Sequence, residues 1–247
     1  MPLIPDSIRL AIGTLTRMPV PAPRNITPST AGSAMMLAPM VGLCLALVCG
    51  VPMLIVRDSG HSLILAAASL ALLAWATRGL HLDGLADMAD ALGSGKPASQ
   101  ALEIARKSDV GPFGVVVVAF TLLLQVFALS GCIDRGYGYL AFVLAITTSR
   151  TALTVACVRG VPAARSDGLG AMVAGSVPRV VAALWAILVL TAGLALFGPI
   201  GIGAVLLGLL TSVATIALAR RRLGGITGDV LGTIAEVSAT GTLMPMS

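Results

Sequence analysis

The sequence predicts an all-α fold: a polytopic integral membrane helix bundle of about six to seven transmembrane helices with an active site on its cytoplasmic face. Three observations lead there. Apolar residues make up 57% of the 247 positions, against roughly 45–50% in a soluble domain, and the mean hydropathy is +0.97. They are gathered into long uncharged runs rather than amphipathic stripes, and a run of about 18 such residues is the signature of a bilayer-crossing helix. Only 11% of the residues are charged, and most of these collect in three segments outside the runs.

The chain opens with an arm, residues 1–34, that mixes charge and proline and has no pattern of a cleaved targeting peptide. Residues 8–15 predict a short helix on the membrane surface, ended by "PVPAP", because proline lacks an amide donor and disfavours helix in the residue before it. The predicted spans are 35–56, 62–77, 110–131, 137–158, 180–197 and 199–219. At 1.5 Å per residue, the second is shorter than a hydrocarbon core of about 30 Å, which suggests a re-entrant segment or one completed by its neighbours.

Basic residues fix the expected orientation, since loops rich in Lys and Arg stay in the cytoplasm. With the N-terminus inside, only Arg57 and Arg135 lie outside and Arg150 falls within a span. The chain is then a multi-pass protein of the inner (cytoplasmic) membrane. Its net charge of +5 is a topology signal, with no nucleic-acid partner implied. Residues 1–247 form one domain, whose polar chemistry lies in cytoplasmic segments 78–109, 159–179 and 220–247. Cys44, Cys49, Cys132 and Cys157 sit in or beside apolar runs without a CxxC pair, which argues against a zinc or iron–sulfur centre.

The acidic motif is "RGLHLDGLADMADALG" at 78–93. Asp83, Asp87 and Asp90 are spaced i, i+4, i+7 and share one face of a helix, where like charges repel unless a cation joins them. Oxygen ligands without His or Cys indicate Mg²⁺, so these three are the predicted metal ligands. The bland alternative is a solvated acidic face paired with Arg78, Arg106 or Lys107. His81 falls on the far side of such a helix from Asp83, as either a structural or a catalytic histidine.

Mg²⁺ on a few carboxylates commonly binds substrate phosphates, and so directs attention to anion-binding groups. Candidates are Arg78, Lys107 with Ser108 and Asp109 in "ARKSDVGPFG", and Arg150, an arginine costly in lipid unless paired or functional. The segment "RRRLGGITGDVLGTIAEVS" adds Gly225, Thr227, Gly228 and Asp229, with glycines that let backbone amides converge on a phosphate. If helix resumes there, Asp229 and Glu236 share a face. "GSGKPAS" at 93–99 is not a P-loop, because Asp90 and Pro97 stand where the motif requires glycine and Ser/Thr.

These residues resemble the cobalamin synthases, the adenosylcobinamide-GDP ribazoletransferases. The similarity is carried in order by "TRMPVP" at 16–21, "APMVGLCLA" at 38–46, the acidic motif, "ALEIARKSDVGPFGVV" at 101–116 and "GGITGDVLG" at 224–232. It implies a Mg²⁺-dependent membrane enzyme that joins adenosylcobinamide-GDP to α-ribazole or its 5′-phosphate, releasing GMP. Its motif positions include Arg78, His81, Lys107, Asp109, Gly225, Thr227 and Gly228 as substrate-binding candidates, with Asp83, Asp87, Asp90 and Asp229 as catalytic ones. The expected attacking group is the ribazole 5′-hydroxyl, deprotonated by Asp90 or Asp229. Candidate partners beyond substrates and the lipid bilayer are other corrinoid-pathway enzymes or a second copy of the chain. Two alternatives are weaker: a CDP-alcohol phosphotransferase would carry DGxxAR where this chain has Asp83-Gly84-Leu85-Ala86-Asp87-Met88, and a divalent-cation transporter would need acids at several depths of the predicted spans, which hold none.

Overall fold

The computed structural model describes residues 4–55, 59–107 and 109–247. The predicted limit of the first span at Val56, the outer Arg57, and Ser108 lie outside the described residues. Those residues are helical with no strand, only two isolated parallel bridges, Val158 with Val177 and Ala163 with Ile226.

The arm forms α1 (Asp6–Leu15), whose Ala11 and Leu15 are buried. It is tied to the end of α5 (Ser62–Ala76): the Arg17 amide donates to the Ala76 carbonyl at 2.7 Å, and its guanidinium lies 3.7 Å from the centre of the Trp75 ring. The first predicted span is broken into α2 (Pro28–Met36), α3 (Ala38–Cys49) and α4 (Pro52–Ile55). Thr27 caps α2 by accepting from the Thr30 amide, and Pro39 removes a helical donor where α2 and α3 bend by 44°.

Between α5 and α6 (Leu80–Gly93) the chain turns by 89°. Two consecutive left-handed residues make this corner, Arg78 at φ 58° and Gly79 at φ 67°. For arginine that conformation costs about 1–2 kcal/mol, offset by a guanidinium that donates to the Gly13 carbonyl at 2.7 Å. The corner lays α6 across the end of the bundle, against the first turns of two later helices.

Those are α8 (Pro112–Asp134) and α12 (Gly228–Leu243), joined to the rest by α7 (Ala98–Ile104), α9 (Gly138–Ala156), α10 (Gly168–Val173) and α11 (Arg179–Leu223). By length and composition α8, α9 and α11 can each cross a membrane, and five spans result if the bent pairs α2–α3 and α5–α6 each count as one. Outward-facing Val115, Phe120 and Phe127 on α8, with Leu184, Ile187 and Leu210 on α11, present an apolar perimeter suited to lipid. α11 is not straight. Gly198, at φ 61° and ψ −144°, interrupts it ahead of Pro199, and a Cβ on Gly193 would lie 2.7 Å from the Gly201 carbonyl oxygen. A straight helix would hold those two residues about 12 Å apart, so α11 is a helical hairpin, with arms matching the predicted runs 180–197 and 199–219.

The segment 220–247, expected from sequence to be cytoplasmic, is built differently. Its residues 228–243 form α12, which enters the bundle with most side chains buried. At its far end the Met246 carbonyl accepts from Arg135 Nη1 at 3.0 Å and the Tyr137 hydroxyl at 2.8 Å, beside the α8–α9 connection. Glycine, alanine, serine and threonine dilute its hydropathy. In the middle of a bundle those residues allow backbones to approach, as where Gly84 of α6 meets Gly232 of α12: a Cβ on Gly84 would lie 3.2 Å from the Gly232 Cα.

Candidate active site

Where α6 crosses the first turn of α12, a cleft of ≈ 260 Å³ opens. Its walls are His81, Asp83 and Gly84 of α6, the cap Thr227 with Gly228 and Asp229 of α12, Arg165 and Asp167 from the α9–α10 connection and Gly168 to Gly170 of α10, together with Leu15 of the arm. The α12 start is well defined: Thr227 accepts from the Val230 amide at 3.2 Å and donates to Asp229 Oδ2 at 3.1 Å. A capped helix start with its positive dipole end turned to a cleft favours an anionic occupant.

The α9–α10 connection is held against the α11–α12 turn by paired backbone bonds, Ala164 N to Ile226 O at 3.0 Å and Ile226 N to Pro162 O at 2.9 Å. Gly225 permits this contact, since a Cβ there would meet the Ala163 carbonyl carbon at 2.6 Å. Its glycine is explained by packing on 162–164, and it does not line the cleft. Gly228 does line it, with room for a Cβ.

The three-aspartate stripe is divided. Asp90 faces the start of α8, where Oδ2 accepts from the Gly111 amide at 2.7 Å and Oδ1 from the Gly114 amide at 3.0 Å. A Cβ on either glycine would sit 2.5 Å from an Asp90 oxygen. Asp90 therefore joins α6 to α8 as a helix cap, each of its carboxylate oxygens accepting from an α8 amide. Asp229 takes its place in the acidic group. Burial first, then the charges of Asp83, Asp229 and Asp90, push Asp87 up to about 7, far above the ordinary carboxylate range.

Among the described residues no three Asp, Glu, His or Cys side chains form a ready metal cage. The donor set nevertheless suits a hydrated Mg²⁺ held by one or two carboxylates and completed by water and phosphate oxygens: Asp83 and Asp87 stand one helical turn apart, and their mutual repulsion calls for a cation.

The other predicted residues are spread more widely. Arg78 belongs to a second cleft of ≈ 780 Å³ on the opposite side of α6, walled by Leu82 and Ala86 of α6 and by Val115 and Val118 of α8. Asp83 lines both clefts. Lys107 and Asp109 are exposed between α7 and α8 and line neither. Arg150 is buried in α9 beneath His81, donating to Ser149 Oγ at 2.7 Å and lying 3.4 Å from His81 Nδ1. Since a guanidinium only donates, Nδ1 accepts and the ring proton is assigned to Nε2. His81 shares the cleft with Asp83 despite their helical offset, as a buried residue near its floor.

α12 also carries an acid into the bundle. Glu236, two turns below Asp229 as the i, i+7 spacing foresaw, accepts from Gln125 Nε2 at 2.9 Å. What the sequence reading missed was Arg165 with Asp167, Gly168 and Gly170. Arg165 stands in "ARSDGLG" at 164–170, within the segment 159–179.

An apolar helix bundle whose one end holds a carboxylate-lined cleft, an arginine and a capped helix start has the features of a membrane enzyme. The sequence profile described as cobalamin-5-phosphate synthase matches residues 7–247. The chain belongs to that family. Proteins named adenosylcobinamide-GDP ribazoletransferase resemble it along nearly their whole length: 42% identity with that of Frankia casuarinae, covering 97% of this chain and 93% of the relative; 36% with that of a Nocardioides species, covering 97% of both; and 38% with that of Syntrophobacter fumaroxidans, covering 92% of both. No solved structure matches the chain.

Proposed function

We propose that this protein joins adenosylcobinamide-GDP to α-ribazole 5′-phosphate or α-ribazole, releasing GMP, in the cleft between α6 and α12. The observation that carries this reading is Asp83 and Asp229 in one cleft with Arg165 and the start of α12, in a chain that matches the ribazoletransferases end to end. The diphosphate lies against Arg165 and the first turn of α12. A ribose hydroxyl attacks the phosphorus attached to cobinamide, the bond from that phosphorus to the bridging oxygen breaks, and GMP departs with that oxygen.

The attacking atom differs from the one expected. A cobalamin 5-phosphate product retains phosphate on its 5′ oxygen, so the nucleophile is a secondary hydroxyl of the ribose. Its proton goes to Asp229, because both Asp90 oxygens are occupied by amides. Thr227 orients the Asp229 carboxylate through Oδ2. His81, with Nδ1 facing Arg150, offers its Nε2 proton as a neutral donor. Asp83 and Asp87 hold Mg²⁺, which when bound offsets the charge of the diphosphate. Positioning and electrostatics supply most of the acceleration, as in other phosphoryl transfers.

In this reading α3, α5, α8, α9, both arms of α11 and α12 cross the inner membrane, with the cleft and N-terminus cytoplasmic and the C-terminus outside. The support is the concentration of Arg17, Arg78, Arg106, Lys107 and Arg220 to Arg222 toward the cleft end.

The test is GMP release by the purified protein given adenosylcobinamide-GDP and either ribazole. Wild type should need Mg²⁺ and lose activity with a chelator, while Asp83→Asn and Asp229→Asn should each fall at least 100-fold. Wild-type protein that is folded yet releases no GMP with either acceptor would refute the assignment.

A further inference from the structure

We propose that Arg165 is the residue that grips the substrate diphosphate, and that its transfer from Asp229 to phosphate frees Asp229 for catalysis. This inference rests on the functional reading above. Among the described residues lining the cleft, Arg165 is the one lysine or arginine. Arg78 lies across α6 with its guanidinium committed to the Gly13 carbonyl, and Arg150 is enclosed in α9.

The guanidinium of Arg165 is loosely engaged. Nη2 donates to the Leu102 carbonyl at 3.1 Å and reaches Asp229 Oδ2 only at 3.5 Å, while Nε is buried with no hydrogen-bond partner among the described residues. A guanidinium carries five N–H donors in a planar fork suited to two oxygens of a phosphate. The side chains of Arg165 and Asp229 are 16% and 25% exposed, so charges arriving beside them are screened less than in bulk water. A diphosphate can offer shorter, paired contacts than the single long one to Asp229. Once Arg165 turns to it, Asp229 loses a cationic neighbour that disfavours proton uptake, and becomes a better base at the moment substrate is present.

The loop is built to hold this side chain in place. Besides its backbone pairing with the α11–α12 turn, it leads into α10, whose Gly170 packs on that same turn, where a Cβ would lie 2.7 Å from the Ile226 carbonyl oxygen. Arg106, just beyond the end of α7, clasps Asp167 at 2.6 Å on its outer side. Arg165 is thus a substrate-binding residue on a fixed mount.

The experiment compares Arg165→Met and Arg165→Lys with wild type, varying the two substrates separately and measuring binding of adenosylcobinamide-GDP by equilibrium dialysis. Loss of charged hydrogen bonds of about 1.5–3 kcal/mol corresponds to a roughly 10–100-fold weakening. The methionine variant should show that increase in KM for adenosylcobinamide-GDP, with KM for the ribazole changed less than about 2-fold, and lysine should restore part of it. Wild-type KM for adenosylcobinamide-GDP in the methionine variant would overturn the proposal, as would equal increases for both substrates without rescue by lysine. If wild type binds adenosylcobinamide-GDP but releases no GMP, the functional reading fails. Dialysis then still decides on Arg165: weaker binding by the methionine variant upholds its role, and unchanged binding refutes it. Should the methionine variant fail to fold, the lysine variant is judged alone, with at least a 3-fold higher Kd expected and a wild-type value refuting the role.

Discussion

Replacing Asp90 by alanine separates the two roles that its position allows. Sequence spacing makes it a third metal ligand, whereas the structure makes it the cap of α8, accepting from the Gly111 and Gly114 amides. Removing a helix cap costs about 0.5–2 kcal/mol, and a hydrogen bond to a charged group contributes about 1.5–3 kcal/mol. Two such bonds at a partly buried position, with some readmission of water to the freed amides, give an expected loss of about 2–4 kcal/mol. The assay is thermal unfolding in detergent, followed by Mg²⁺ titration of activity at a temperature where the variant remains folded. Asp90→Ala should melt several degrees lower, Asp90→Asn should lose less because its amide oxygen still accepts, and the Mg²⁺ concentration for half-maximal activity should change less than 2-fold in both. A variant as stable as wild type but requiring at least 10-fold more Mg²⁺ would refute the cap and restore Asp90 to the metal.

Two further expectations concern charge and backbone. Asp87 is raised to about 7, so the metal-free folded protein holds this proton more tightly than the unfolded chain does; its contribution to stability is present at low pH and lost as pH rises through about 7. In chelator, the melting temperature of wild type should therefore fall relative to Asp87→Asn between pH 5 and 8, and Mg²⁺ should stabilise wild type more at pH 8 than at pH 5; parallel pH profiles would contradict this. Gly198 turns the α11 hairpin at φ 61° and ψ −144° with nothing near its missing Cβ, so Gly198→Ala should cost about 1–3 kcal/mol from the backbone alone. Gly203→Ala, in the helical part of the same hairpin and equally open, should be neutral or gain up to about 1 kcal/mol, and equal effects at the two sites would refute the turn.

The helical, membrane-embedded character of the chain was legible because it rests on bulk hydropathy and run length, which lipid demands of any perimeter helix. Predicted runs 62–77, 110–131 and 137–158 correspond to α5, α8 and α9, and the Gly198-Pro199 junction marked the hairpin. α12 was hidden because an interior helix faces other helices, so small residues replace the hydrophobic ones by which spans are found. The grouping of His81, Asp83, Thr227, Gly228 and Asp229 followed from motif reading, although their contact depends on the 89° corner at Arg78-Gly79. Periodicity placed Asp90 beside its fellow acids but had no knowledge of the α8 amides facing it. Arg165 could be found only through the bridge between Ala163 and Ile226, a contact between segments far apart in sequence.

Leu169 lies in the wall of the proposed catalytic cleft, where a single cysteine can report whether substrate enters. In a Cys44→Ser background, which removes the exposed native thiol, Leu169→Cys should react with a water-soluble maleimide and still release GMP before labelling. Saturating adenosylcobinamide-GDP with Mg²⁺ should slow that labelling at least 5-fold. Labelling at an unchanged rate in an active variant would place the chemistry elsewhere than between α6 and α12.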